Sequence, residues 1–183
     1  ELVMLAADRF RNEAGLSSGA VGASAALPSI GTASAAALTV GQTAVFIGSA
    51  VTYVLTVAEL QGLRVVEPEK RRALVLSALL GREGSEAVQG QLGLASLFWA
   101  AQALAQMPIP TAKNINAQLA KRLAKRAAAK GGAVALGRLL PLGIGAAIGY
   151  SGGRALANQV IEGAQAALGP ASPFAPAMEV IEA

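Results

Sequence analysis

Forty-five consecutive residues of this chain, from 14 to 58, carry no formal charge. A soluble domain of ordinary composition holds about 25% charged residues, so a run of this length cannot face water on every side. It divides at Leu27-Pro28 and Gly31 into a small-residue part, GLSSGAVGASAAL, and a greasier part, GTASAAALTVGQTAVFIGSAVTYVLTVA. As a helix, residues 38–58 would reach about 31 Å, close to the thickness of a hydrocarbon core. Thr39, Gln42, Thr43, Ser49, Thr52 and Thr56 make that segment polar for a lone lipid-exposed span. Spanning, deep insertion and burial in a helical bundle are therefore all open on the sequence alone.

The chain has 183 residues, enough for one core but not comfortably for two, and we read 1–183 as one domain. It is 54% hydrophobic, 14% charged and 4% aromatic, which excludes intrinsic disorder. It has no cysteine and no histidine, so disulfides, thiolate nucleophiles, imidazole bases and nearly all transition-metal sites are excluded. Asp8 is the sole aspartate and the glutamates do not cluster, which leaves magnesium without ligands. The carboxylate pairs Glu67 with Glu69 and Glu83 with Glu86 lie beside arginines at helix starts, where solvated caps explain them. A Ser-Lys nucleophile would need an SxxK spacing that does not occur. GRLLPLGIGAAIG contains Gly-x-Gly, but it has no preceding strand, no Lys-Ser/Thr pair and no acidic ribose ligand. The expectation is a protein that is not an enzyme, with no catalytic residue, no cofactor and no metal.

The net charge of +4 is unevenly placed. Residues 1–86 hold eight acids and seven bases, residues 87–161 eight bases and no acid, and residues 162–183 three acids and no base. The middle segment can therefore act as a local positive field on an anionic partner.

Alanine and leucine dominate, and no stretch keeps a two-residue alternation, so the chain reads as helix almost throughout. ELVMLAADRFRNEAG is an amphipathic helix rather than a signal peptide, and a cytoplasmic location is expected. Further helices are predicted over 68–80, ended by Gly81, and over 83–106, with Phe98 and Trp99 as its bulkiest members. Pro108 and Pro110 stop the second of these. Residues 111–130 form the clearest amphipathic helix, with Ile115, Leu119, Leu123 and Ala127 as its apolar stripe. Lys121, Arg122, Lys125, Arg126 and Lys130 crowd the adjacent arc, and Gly131-Gly132 are expected to break the helix. An apolar stretch interrupted by Pro141 then runs to about Leu168. Residues 163–183 are read as a tail rich in proline and alanine, of which GPASPFAPAMEVIEA should run extended before a short terminal turn. The predicted fold class is all-α, a compact bundle of about six to eight helices that is membrane-associated or membrane-inserted.

Gly145, Gly149 and Gly153 form a GxxxGxxxG ladder, and Gly15, Gly19 and Ala23 repeat its spacing. Glycine is unfavourable in helices, so three on one face point to close helix packing. An internal crossing of the two helices, homo-oligomerisation and lipid-embedded packing all satisfy that reading. The basic arc likewise admits a solvated face, anionic lipid headgroups or an acidic partner protein. Nucleic acid is the weakest partner, because the helix lacks aromatic residues for stacking and has few Asn or Gln for base reading.

Three blocks, taken together, resemble the EcsC family: GLSSGAVGASAALPSIGTASAAAL, EPEKRRALVLSALLGREGSEAV, and IPTAKNINAQLAKRLAKRAAAKGGAVALGRLLPLGIGAAIGYSGG. They are similar, in order, to its glycine-rich segment leading into a leucine-proline element, its charged turn and leucine-rich helix, and its basic helix followed by a proline-glycine helix. The resemblance covers most of residues 13–163. The family often has an acid before the leucine-proline element, whereas Ala25-Ala26-Leu27-Pro28 has none. The family is bacterial, is named from an operon that also encodes an ABC transporter, and has no established reaction. The resemblance thus implies membrane association without a mechanism. The expected role is an accessory or scaffold factor at the cytoplasmic side of the membrane, peripheral or partly inserted, with lipids and a transporter or other membrane protein as partners and homo-oligomers left open. The alternatives are a soluble helical carrier of a lipid or other apolar ligand and, last, a pore former that inserts residues 15–58.

Overall fold

A computed structural model of the chain describes residues 1–24, 32–94, 98–137, 144–170 and 178–180. Their order is α1 Leu2–Ser24, α2 Thr32–Leu60, β1 Leu63–Val65, α3 Pro68–Leu79, α4 Arg82–Leu92, α5 Trp99–Gln106, α6 Ile109–Gly137, α7 Ile144–Leu168 and β2 Met178–Val180. The described residues thus form an all-α bundle of seven helices with one two-stranded parallel sheet.

Helix α3 is the central element. Ala73, Leu74, Val75, Ser77, Ala78, Leu79 and Leu80 are all buried, so it has almost no water-facing side beyond its first turn. Pro68 opens it where a missing N–H is harmless, and Glu69 lies in the same turn, where a carboxylate suits the helix dipole. Around it α4, α6 and α7 contribute Val88, Ile115, Leu119, Val160 and Ala164, and α5 adds Trp99 and Leu104. At about 25 cal/mol per Å2, burial of such aliphatic and aromatic side chains is the main favourable contribution to folding.

Three boundaries differ from the sequence expectation. The single helix over 83–106 is two helices, because Gly93 takes φ 64° and caps α4, with the Leu94 N–H returning to the Gln89 carbonyl at 3.0 Å. The break lets α5 fold back so that the buried Trp99 Nε1–H donates to Ser85 Oγ at 3.2 Å. Gly131 and Gly132 do not end α6, which runs on to Gly137. Two glycines cost roughly 1 kcal/mol each against alanine, and strong helix formers on both sides carry the backbone ladder through them. In the C-terminal segment, residues 163–168 are the last turns of α7, and Gly169 at φ 88° leaves the helix. Met178–Val180 then pairs in parallel with β1, with Leu63 opposite Met178 and Val65 opposite Val180. The stop expected at Gln106 is where α5 ends, with Pro108 in the connection and Pro110 in the first turn of α6.

Helices α1 and α2 meet through aromatic side chains. Phe10 stacks on Tyr53, with centroids 5.1 Å apart and planes at 9°, and tilts against Phe46 at 5.8 Å. The Tyr53 hydroxyl is buried and has no hydrogen-bond partner among the described residues. Burial pushes its pKa up to about 12, with Arg11 opposing the shift. A neutral phenol is therefore favoured by the fold, and its contribution, complete below about pH 10, is lost as pH rises toward about 12. Removing an unpaired buried hydroxyl relieves a desolvation cost of about 1–3 kcal/mol. Tyr53→Phe is expected to keep or raise stability at pH 7 and to flatten this part of the alkaline decline, as read by urea titrations at both pH values.

Candidate functional site

Gly15, Gly149 and Gly153 lie where α1 runs antiparallel to α7, the most extensive helix contact among the described residues. A Cβ on Gly153 would strike the Ala14 carbonyl oxygen, and one on Gly149 the Ser18 carbonyl oxygen. At Gly15 it would stand 2.8 Å from the Tyr150 ring, and Gly19 lies beside Gly149. These glycines meet within one chain, backbone against backbone. Gly145 is in the first turn of α7, but its surroundings lie outside the described residues.

This crossing fixes the level of the nearby charges. Arg154 Nη1 donates to Asn12 Oδ1 at 3.1 Å and to the Tyr150 hydroxyl at 3.0 Å, and Arg11 Nε donates to Asn158 Oδ1 at 2.6 Å. The last charge on α1 is Glu13 and the first on α7 is Arg154, and these packed helices carry them at the same height. Beyond that height, toward Ser24 and Ile144, neither helix has a charged residue. Leu16 is exposed there at 66% and Tyr150 at 38%.

Helix α2 belongs to the same region. From Gly41 to Gly48 none of its residues is buried, and Val45 and Ile47 are exposed. Gly41–Leu60 is the one helical segment among the described residues long and apolar enough to cross a membrane. From Ala50 onward, however, Ala50, Tyr53, Val54, Val57 and Ala58 form an inner face that is buried in the core. The C-terminal half is thus a core helix, while in the first half Phe46 packs on Phe10 and Val45 and Ile47 stay exposed.

The basic residues of α6 do not form one surface. Arg126 Nη1 donates to the Leu80 carbonyl at 3.0 Å, where it meets the negative end of α3, and lies 3.7 Å from Glu83 Oε2. Arg122 Nη1 is 3.9 Å from Glu83 Oε1. Lys121 and Lys125 reach solvent and form no ion pair among the described residues. The side chain of Lys130 lies outside the described residues. Leu80, Glu83, Arg122, Lys125 and Arg126 line an open cleft of about 380 Å3. Along the apolar stripe Ile115 and Leu119 are buried, Leu123 is half-buried and Ala127 is exposed, so α6 leaves the body of the bundle as its basic run begins.

A second open cleft, of about 250 Å3, lies between α3 and α6 and was not legible in the sequence. It is lined by Glu69, Arg72, Lys113 and Asn116. Asn116 Nδ2 donates to the Glu69 carbonyl at 2.9 Å and to Glu69 Oε2 at 2.7 Å. The only signal was a polar residue on the buried side of an apolar stripe. No group of three or more acidic side chains that could hold a metal ion occurs among the described residues. No protein family, curated protein or solved structure matches the chain.

Proposed function

We propose that this chain is a non-enzymatic helical protein that associates with the cytoplasmic side of a bacterial membrane and acts there as an accessory or scaffold factor for a transporter or for lipids. The observation that carries the reading is a set of exposed apolar side chains, Leu16, Val45, Ile47 and Tyr150, on charge-free stretches of α1, α2 and α7, together with the solvent-facing Lys121 and Lys125 of α6. Large exposed apolar surface rimmed by charge is a mark of interaction sites. Lysines that form no ion pair among the described residues suit an anionic leaflet, each contributing about 1 kcal/mol near its surface. The similarity of three sequence blocks to the EcsC family supports the same place of action. A soluble carrier would need an apolar chamber, whereas the two clefts described above are open and lined by charged side chains.

Flotation of the purified protein with phosphatidylglycerol vesicles and with neutral phosphatidylcholine vesicles, at low and high salt, tests the reading. Co-flotation with the anionic vesicles, weakened by salt, is the expected result. Recovery of all the protein in the unbound fraction under every condition would rule it out.

A further inference from the structure

Taking the membrane reading as given, we infer that the chain docks into one leaflet only, with the Glu13–Arg154 level as its waterline. The charge-free ends of α1 and α7 enter the hydrocarbon side by side, and the basic residues of α6 meet the headgroup phosphates above them.

Length sets the depth. Residues 15–24 of α1 and residues 144–153 of α7 are charge-free helix on the far side of that level. At 1.5 Å per residue, ten residues reach about 15 Å, half of a hydrocarbon core of about 30 Å. The two helices are held in register by the Gly149 and Gly153 contacts, so their charge boundaries cannot slide apart. Arg154 is fixed at the boundary by Asn12 and by Tyr150, over whose ring it lies at 5.7 Å. A tyrosine and an arginine at one level are the pairing expected at a headgroup boundary.

Helix α6 has the matching height. Arg126 binds the Leu80 carbonyl and Gln159 Nε2 donates to the Leu79 carbonyl at 2.6 Å, so Arg126 and Gln159 share the level of the α3 C-terminus. Gln159 stands five residues, about 7 Å, on the water side of Arg154 along α7. That offset is about the depth of one headgroup layer, which places Lys125 among phosphates. On α2 the uncovered face of Gly41–Gly48 accompanies the other two helices, while Tyr53 and Val57 keep the rest of the helix in the core.

The absence of cysteine makes single-site labelling direct. Leu16→Cys, Ala20→Cys, Met4→Cys and Leu156→Cys all fall at exposed positions, so a dye there need not disturb the core. Each variant, checked for wild-type circular dichroism, is labelled with an environment-sensitive fluorophore and mixed with phosphatidylglycerol vesicles carrying quenchers at a shallow or a mid-chain position. The expected result is blue-shifted emission at Leu16 and Ala20, with Ala20 losing more emission to the mid-chain quencher, water-like emission at Met4, and emission between the two at Leu156, about 3 Å above Arg154 within the headgroup layer. Vesicle binding with all four labels in water would overturn the insertion while leaving surface association standing. Quenching of Ala20 by an impermeant agent trapped inside the vesicles would overturn it in favour of spanning. A blue shift at Ala20 without vesicles would overturn it in favour of a second copy. No binding at all would remove both this inference and the membrane reading.

Discussion

Gly153→Leu is expected to lower the free energy of unfolding by about 3 kcal/mol or more, at or above the upper end for overpacked helix contacts. Gly152→Ala, one residue away, is expected to raise it by about 0.5–1 kcal/mol. The two glycines share a helix and differ only in what lies opposite. A Cβ on Gly152 meets no atom within 4 Å, so alanine gains helix propensity at no steric cost. A Cβ on Gly153 would stand 2.7 Å from Ser18 Cβ and closer still to the Ala14 carbonyl oxygen. Ser18 can change rotamer, but the carbonyl is backbone, and α1 must move away from α7 to make room. That movement uncovers Phe10 and Ala14, which are buried next to the crossing. For a chain of this size each kcal/mol shifts the midpoint by about 2–4 °C, so the pair should separate by more than about 6 °C in a thermal melt. Equal melting temperatures for the two variants would mean that the α1–α7 crossing is looser than the contacts at Ala14 and Ser18 require.

The same crossing shows what a sequence of this composition discloses. A four-residue glycine spacing is a local signal, and Gly15, Gly149 and Gly153 were visible because helix geometry alone puts such residues on one face. Gly93 and Gly131 were not distinguishable in that way. One caps α4 and the other sits inside α6, and the difference comes from tertiary demands: Trp99 must reach Ser85, which needs a turn, while nothing folds α6 back at Gly131. The three-residue strands are too short to show a period and exist because each pairs with the other across more than a hundred residues. The basic run was legible as composition but not as a surface. Glu83, far from α6 in the chain, lies beside Arg122 and Arg126 and divides that run into engaged arginines and solvent-facing lysines.

That division has a measurable consequence, because the lysines are available to a membrane at no cost to the fold. Lys121→Ala with Lys125→Ala should weaken partition to phosphatidylglycerol vesicles by about 30-fold at low salt, the equivalent of about 1 kcal/mol for each lysine. Stability should stay within about 0.5 kcal/mol of the wild type, since both side chains are solvent-facing. Arg122→Ala with Arg126→Ala should do the reverse. It removes the Glu83 contacts and the cation at the α3 carbonyl terminus, so stability falls by about 1 kcal/mol. Its loss of binding should be the smaller, because Glu83 already offsets part of the arginine field and is itself set free to repel phosphate. Salt discriminates further: the Debye length falls from about 10 Å at 0.1 M to about 3 Å at 1 M. Wild-type partition should therefore drop toward that of the lysine variant as salt rises, while the variant changes little. If the arginine pair instead abolishes binding and the lysine pair leaves it intact, the phosphates sit in the cleft between Leu80 and Lys125 rather than along the outer face of α6, and the height assigned to α6 above the bilayer must fall accordingly.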